Sequence, residues 1–383
     1  MTAWLIASGD FTQYGGMDAA NYALASYLAR TPPGGGGAGN EVHLVAHRVA
    51  AELAAQPAVH VHHVTRPLGM HRLGEPLLRR ATVRAQQQLT PRRVRVVANG
   101  GNVDAGDINW VHYVHAAFTP EAAGTLNLWR VSSNHRRYLV DERRALERAR
   151  MVICNSERTA DDVTSIGVPR DRTRVVYYGI DAARFAPVDA AERRSSRRAL
   201  GLPEDRCLAL FIGALGDRRK GFDTLYGAWR ELCARPAWDV DLVVAGTGAE
   251  LSAWQRRTAG DFAKGRVRFL GFRRDIPAVL AACDLLVHPA RYEAYGLAVH
   301  EALCRGLPAI VSASAGIAER YPADLAALLL HDPASACEIV ERLLSWRADD
   351  QINTRVAAFA SRLRARSWDH MARDIVACAE ALA

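Results

Sequence analysis

Val287-His-Pro-Ala-Arg-Tyr-Glu-Ala-Tyr-Gly-Leu-Ala-Val-His-Glu-Ala-Leu-Cys-Arg-Gly-Leu-Pro-Ala-Ile-Val-Ser312 reads as strand, loop, helix and strand. Asp284-Leu-Leu-Val-His288 and Leu307-Pro-Ala-Ile-Val-Ser312 are short apolar runs, the pattern of strands covered on both faces. Between them a helix is expected to start at Tyr295-Gly296 and run from Leu297 to Cys304, with Gly306 and Pro308 ending it. Glu293 lies in the loop before this helix and Glu301 inside it, seven residues apart. The first amides of a helix hold anions, and carboxylates beside them hold hydroxyls, so a ligand with phosphates and sugars suits both. Taken alone, the two glutamates fit a wet helix face equally well.

Outward from this unit the second half alternates in the same way. Cys207–Ile212, Val240–Ala245 and Val267–Leu270 read as strands, with helices near Thr224 to Ala234, near Glu250 and near Ile276 to Ala282. Such alternation predicts a parallel sheet covered by helices. After its first strand comes Gly213-Ala-Leu-Gly-Asp-Arg-Arg-Lys-Gly221, where Arg218, Arg219 and Lys220 gather at a strand's carboxyl end, a loop suited to a diphosphate or to an ordinary charged turn. Asp239-Val-Asp241 has the look of an acidic metal pair but enters its strand at the amino end, the wrong end for a site.

The first half repeats the pattern. Ala3–Ala7 is a strand, Gly15-Gly16 punctuates the loop after it, and a helix runs from about Asp18, its candidate cap, through Ala29. Gly-x-Gly-x-x-Gly is absent. Thr31–Asn40 is a glycine-rich connection, and Glu41–Ala46, Val59–Val64 and Val94–Ala98 are further strands. His60 and His62 share a strand face, but no carboxylate or cysteine stands near them at ligand spacing, so no metal site is expected. The basic stretch Pro67–Pro91 fits an exposed helix or a membrane-surface segment. Ile108–His115 is a strand whose end delivers His112 and His115 to a loop, where a histidine can serve hydroxyl or leaving-group chemistry. Val152–Ser156 and Arg174–Asp181 close this half, and the arginine-rich 187–203 reads as the connection between domains.

At 383 residues the chain is long enough for two domains. Its net charge of +8 owes much to arginine clusters in the first half, Arg79-Arg80, Arg92-Arg93, Arg136-Arg137 and Arg143-Arg144, which suit either solvated helix faces or an anionic partner. Seven scattered cysteines without Cys-x-x-Cys imply reduced thiols and a cytoplasmic setting. Neither a signal peptide nor an apolar run of membrane-spanning length is expected.

Together these residues resemble a retaining glycosyltransferase of family 4, a nucleotide-sugar-dependent group with the GT-B fold. Glu293 and Glu301 stand at the spacing of its paired-glutamate signature, in a Tyr-Glu-Ala-Tyr-Gly-Leu stretch similar to the usual Tyr-Glu-Gly-Phe-Gly-Leu. Gly271–Pro277 looks like the segment near the nucleotide base, Lys220-Gly221 like the lysine-glycine that grips the diphosphate, Val176–Asp181 like the approach to the linker, and the helix from Trp368 like the tail that crosses back. The resemblance implies two Rossmann-like parallel-sheet domains facing a cleft: 1–186 for the acceptor, 187–365 for the nucleotide sugar, and 366–383 returning to the first.

By the same resemblance, Glu301 would hold the donor ribose, and Glu293 and His115 would lie at the transferred sugar. Lys220 would neutralise the leaving diphosphate, with Gly15, Gly16, Tyr295, Gly296 and Leu297 around it and Phe272 and Arg273 near the base. Asp18, His112 and Phe118 would meet the acceptor. The family places an arginine six residues before the lysine, where this chain has Ala214, so Arg218 or Arg219 is the expected substitute. Loss of such a charge-assisted bond costs roughly 1–3 kcal/mol.

The implied reaction transfers a sugar from a UDP- or GDP-linked donor to an acceptor hydroxyl with retention, in glycan, glycolipid or glycosylated-metabolite synthesis. It needs no divalent metal, no other cofactor and no nucleic acid. Peripheral contact with an anionic membrane, at the inner face, stays open, as do the acceptor and the oligomeric state. A nucleotide-sugar epimerase on the same fold and a non-catalytic nucleotide-sugar-binding subunit are the rival readings.

Overall fold

The computed structural model describes residues 3–31, 40–90, 94–104, 106–121, 125–261 and 265–382. Residues 32–39 of the glycine-rich connection, with Pro91, Arg92 and Arg93, lie outside the described residues. The chain divides into two compact units, one of 1–119, 125–179 and 366–383, the other of 120–124 and 180–365. Each is a parallel sheet with helices around it, the doubly wound α/β architecture that the alternation predicts.

In the first unit the order across the sheet is Val59–His63, Glu41–Ala46, Ala3–Ala7, Val94–Ala98, Ile108–Val111, Met151–Cys154 and Thr173–Val175. Every residue of Ala3–Ala7 is buried, as befits a central strand covered on both faces. Strand order reverses between Ala3–Ala7 and Val94–Ala98, which puts the loop leading to Gly15 at a topological switch point. The second unit runs Val267–Gly271, Val240–Ala245, Cys207–Ile212, Leu285–His288, Ala309–Ser312 and Leu329–Leu330. Its order reverses between Cys207–Ile212 and Leu285–His288, the strands that lead into the cation loop and the glutamate loop.

Three elements depart from expectation. The helix Thr125–Arg148 has no counterpart in the sequence reading, where its arginine pairs stand only as charge clusters in a strongly polar stretch. The segment 187–203 is no plain connection. It contains the helix Ala190–Ala199, capped by Asp189, and from it Arg197 turns inward to Ala282 O at 2.9 Å and Asp284 Oδ2 at 2.8 Å. The strand expected over Ile108–His115 ends at Val111, and His115–Ala117 is a short 3-10 turn.

Much of the arginine cluster is neutralised within the first unit. Arg144 and Arg148 meet Asp104 at 2.8 and 2.7 Å, Arg79 reaches Asp104 and Asp141, and Arg137 reaches Asp141 at 3.5 Å. The helix Trp368–Glu380 packs in this same unit on the helix Gly16–Arg30, its Met371, Ala372, Ile375 and Ala379 buried and its start held by a Ser367–His370 capping box. No described helix is long and apolar enough to cross a membrane.

Candidate active site

In the second unit the switch point brings two loops together and binds them to each other. The backbone N–H of Arg291 donates to Arg219 O at 2.7 Å, and its guanidinium forks onto Asp223 at 2.8 and 3.0 Å and onto Thr224 Oγ1 at 2.8 Å. Gly221 sits at φ 72°, and a Cβ there would be 2.0 Å from Pro289 O, so only glycine lets the loops approach. A third loop closes in from Val240–Ala245. Cβ atoms at Gly246 and Gly248 would each be 1.9 Å from a carbonyl of the cation loop, those of Gly213 and Leu215.

This scaffold sets Lys220 Nζ 2.7 Å from Glu293 Oε2, with His288 Nε2 on the same oxygen at 3.0 Å. Burial works to raise the pKa of Glu293, but Lys220 and His288 outweigh it and hold the carboxyl below the usual range. Glu293 is therefore a charged carboxylate paired with the one lysine of the loop.

Three residues on, Gly296 takes φ 103° as the residue before the helix Leu297–Cys304, whose first amides have no intrahelical partner. Tyr295 is buried, its hydroxyl 3.0 Å from His300 Nδ1 and taking a bond from Arg320. Glu301 is partly buried on the helix, and burial pushes its carboxyl up to about 8 while Arg184 pulls the other way. Among the described residues no side-chain hydrogen bond holds Glu301.

Arg218 faces Asp223 at 3.1 Å and Glu250 at 3.7 Å, and Arg219 forks onto Asp217. Both cations stand at the phosphate-type loop, each already matched to a carboxylate, while Ala214 is exposed. Arg273 pairs with Asp275 at 2.5 Å, next in the chain to Phe272, which is 66% exposed. Asp239 and Asp241, at the far end of their strand, are occupied by Arg347 and by Arg206 and Arg266.

The first unit has its own cluster at the carboxyl end of its sheet. Gly15 takes φ 86° before the helix Gly16–Arg30, and a Cβ at Gly16 would meet nothing within 4 Å, which leaves this helix start open. Asp18 is raised to about 6 by burial and by Asp10, against Arg48 and Arg66. His115 stacks on Tyr138 at 4.9 Å, and Phe118 packs edge-on to Tyr113 and His135, each at 5.2 Å. Glu142 fixes the 3-10 turn by accepting the N–H groups of His115 at 2.8 Å and Ala116 at 3.2 Å, yet burial still lifts its carboxyl to about 7. His112 is different. It is buried against Tyr178, whose hydroxyl it meets through Nδ1 and which also takes Asn155 Nδ2 at 3.2 Å, and burial lowers its pKa to about 3.

Within the second unit Lys220 and Glu293, both named from sequence, meet at the switch point, whereas Arg273 pairs with Asp275. His288, Arg184, Arg291 and the glycines 246 and 248 were not singled out from sequence. His288 was within reach, since it ends the strand that opens the glutamate loop. Arg291 and Gly246 owe their places to contacts between loops distant in sequence.

Comparison with known proteins divides the chain in the same way. Residues 14–184 match the family described as Glycosyltransferase Family 4, and residues 192–362 match Glycosyl transferases group 1. A D-inositol 3-phosphate glycosyltransferase of Corynebacterium urealyticum is 27% identical over 288 residues, covering 71% of this chain and 66% of the relative. One from Nocardioides sp. is 30% identical over 256 residues, covering 62% and 54%. The matches thus span between about half and two thirds of these relatives' length. Among solved structures, WaaG, a glycosyltransferase involved in lipopolysaccharide biosynthesis, superposes with a TM-score of 0.74 at 20% identity, over 100% of this chain and 99% of its own. HepE of Anabaena, in complex with UDP and glucose, does so with 0.70 at 20% identity, over 98% of each.

Proposed function

The chain belongs to glycosyltransferase family 4, with the GT-B fold, and from that premise we propose that it transfers a sugar from a nucleoside diphosphate to an acceptor hydroxyl with retention at the anomeric carbon. The observation that carries this is the Lys220–Glu293–His288 cluster at the switch point, beside a helix start capped by a left-handed glycine. Glu301 takes the ribose hydroxyls. The diphosphate lies over the amides of Leu297 and the next residues, and Lys220 turns from Glu293 to the phosphate oxygens as the sugar–phosphate bond breaks. Glu293, held by His288, then accepts from a hydroxyl of the sugar. The acceptor oxygen forms its bond to the anomeric carbon on the face that the phosphate leaves, and its proton passes to the departing phosphate oxygen. No protein nucleophile and no divalent metal is assigned, because Lys220, Arg218 and the helix amides meet the developing charge.

In the first unit, Gly15-Gly16, His115, Asp18 and Phe118 are the residues that the family resemblance offers as candidates for the diphosphate, the sugar and the acceptor. UDP-glucose is the first donor to try, since HepE is known with UDP and glucose. The experiment follows UDP or GDP release from UDP- and GDP-sugars with a panel of sugar, lipid and small-alcohol acceptors, in EDTA, with the product's anomeric configuration read by NMR. Acceptor-dependent nucleotide release, retained configuration and its loss in Glu293→Gln are expected. An altered sugar nucleotide without acceptor would point to an epimerase, and nucleotide binding without turnover to a non-catalytic subunit. Either result overturns the proposal.

A further inference from the structure

Parallel pairing of the two outer strands of the first unit sets His60 opposite His43, and these share a sheet face with Glu41 and His62. The carboxylate that sequence spacing does not reveal is thus supplied by the neighbouring strand. Glu41 Oε1 lies 3.2 Å from His43 Nε2 and 3.6 Å from His60 Nε2, and the three ligand atoms all fall within 4.8 Å of one another. Donor atoms around a tetrahedral zinc, with bonds of about 2.0–2.2 Å, stand about 3.3 Å apart.

The ring of His43 is buried, and its two nitrogens are in different situations. Nδ1 is 3.0 Å from His62 Nε2, whereas Nε2, close as it is to Glu41, is not aligned with it as a hydrogen bond and has no other such partner. In the tautomer whose Nδ1–H donates to His62, Nε2 turns a lone pair toward a carboxylate oxygen 3.2 Å away, and a cation bound by both would relieve the opposition of two electron-rich atoms. Metal-bound histidines are oriented in this way, through a bond made by the second ring nitrogen. The His60 side chain is half exposed, which gives an ion a way in from solvent.

We propose that Glu41, His43 and His60 form a binding site for Zn2+, with His62 positioning His43 and solvent completing the coordination. Two imidazoles and a carboxylate suit zinc better than calcium or magnesium, which take oxygen ligands. The site lies at the amino ends of its strands, whereas the Gly15 and His115 loops follow the carboxyl ends. It therefore clamps the edge strand Val59–His63 to Glu41–Ala46 and takes no part in sugar transfer.

The test uses full-length protein free of any histidine tag, stripped with chelator and titrated with Zn2+ in competition with a chromophoric chelator. One equivalent is expected to bind, and Co2+ in its place should show the intense visible bands of a four-coordinate site. His60→Asn, exposed and safe for folding, should weaken binding about 100-fold and His62→Asn about 10-fold. His63→Asn, on the same strand but the opposite face, should leave it unchanged. Thermal unfolding should move upward with Zn2+ in wild type and not in His60→Asn. Absence of a stoichiometric site, or equal affinity in wild type and His60→Asn, overturns the proposal whether or not the chain transfers sugar.

Discussion

Lys220 Nζ and His288 Nε2 converge on one oxygen of Glu293, Oε2, at 2.7 and 3.0 Å. The only lysine of the loop is thus held on a carboxylate, and in the proposed reaction it leaves Glu293 for the diphosphate, so that Glu293 keeps His288. Lys220→Ala is expected to lower the transfer rate about 100- to 1,000-fold, the usual consequence of losing one group that stabilises a departing charge. Because it removes the cation paired with a partly buried carboxylate, it should also lower the unfolding temperature. Turnover within a factor of two of wild type would remove Lys220 from the reaction.

Glu301 makes stability depend on pH. Its carboxyl is pushed up to about 8 in the fold and titrates near 4.5 when unfolded, so between these values the unfolded chain binds fewer protons than the folded one. Stability from this group is intact below the lower value and declines as pH rises toward the upper. Denaturant midpoints at about pH 5 and about pH 8 should differ less in Glu301→Gln than in wild type. Equal differences would show that Glu301 ionises normally.

Gly296 is held at φ 103°, and an added Cβ would come within 3.0 Å of Ile317 Cγ2. Gly296→Ala is expected to cost about 1–3 kcal/mol in urea unfolding. If the helix amides receive the diphosphate, nucleotide affinity measured by calorimetry must fall as well. Unchanged affinity at reduced stability would place the phosphates elsewhere.

Tyr178 holds two buried side chains, His112 and Asn155, with one hydroxyl. Tyr178→Phe leaves both short of a partner, and an expected loss of about 1–3 kcal/mol follows. Chemical denaturation reads it directly. A neutral substitution would mean that water replaces the hydroxyl.

Alternating apolar runs made both sheets legible from sequence, because strands buried on two faces tolerate little else. The glutamate loop was legible for a related reason, since its residues act through local backbone geometry at Gly296. What stayed hidden depends on pairing across space. Glu41 stands 19 residues from His60 in the chain and beside it in the sheet, which no spacing rule reveals. The helix Ala190–Ala199 was hidden by its polarity, for its buried Arg197 faces carbonyls and Asp284 where an apolar residue would announce a core.

The backbones at Gly179 and Ser367 pass so near each other that a Cβ at 179 would lie 2.2 Å from the Ser367 carbonyl carbon. One unit begins just after the first of these points and is left just before the second, and the helix Trp368–Glu380 belongs to the other. During synthesis, then, residues 180–365 emerge complete while the unit begun before them still lacks its last helix. The part of the helix Gly16–Arg30 that packs on Trp368–Glu380 waits, uncovered, through the making of an entire second domain. Slow elongation or early truncation beyond residue 365 should therefore expose the first unit to proteolysis and spare the second.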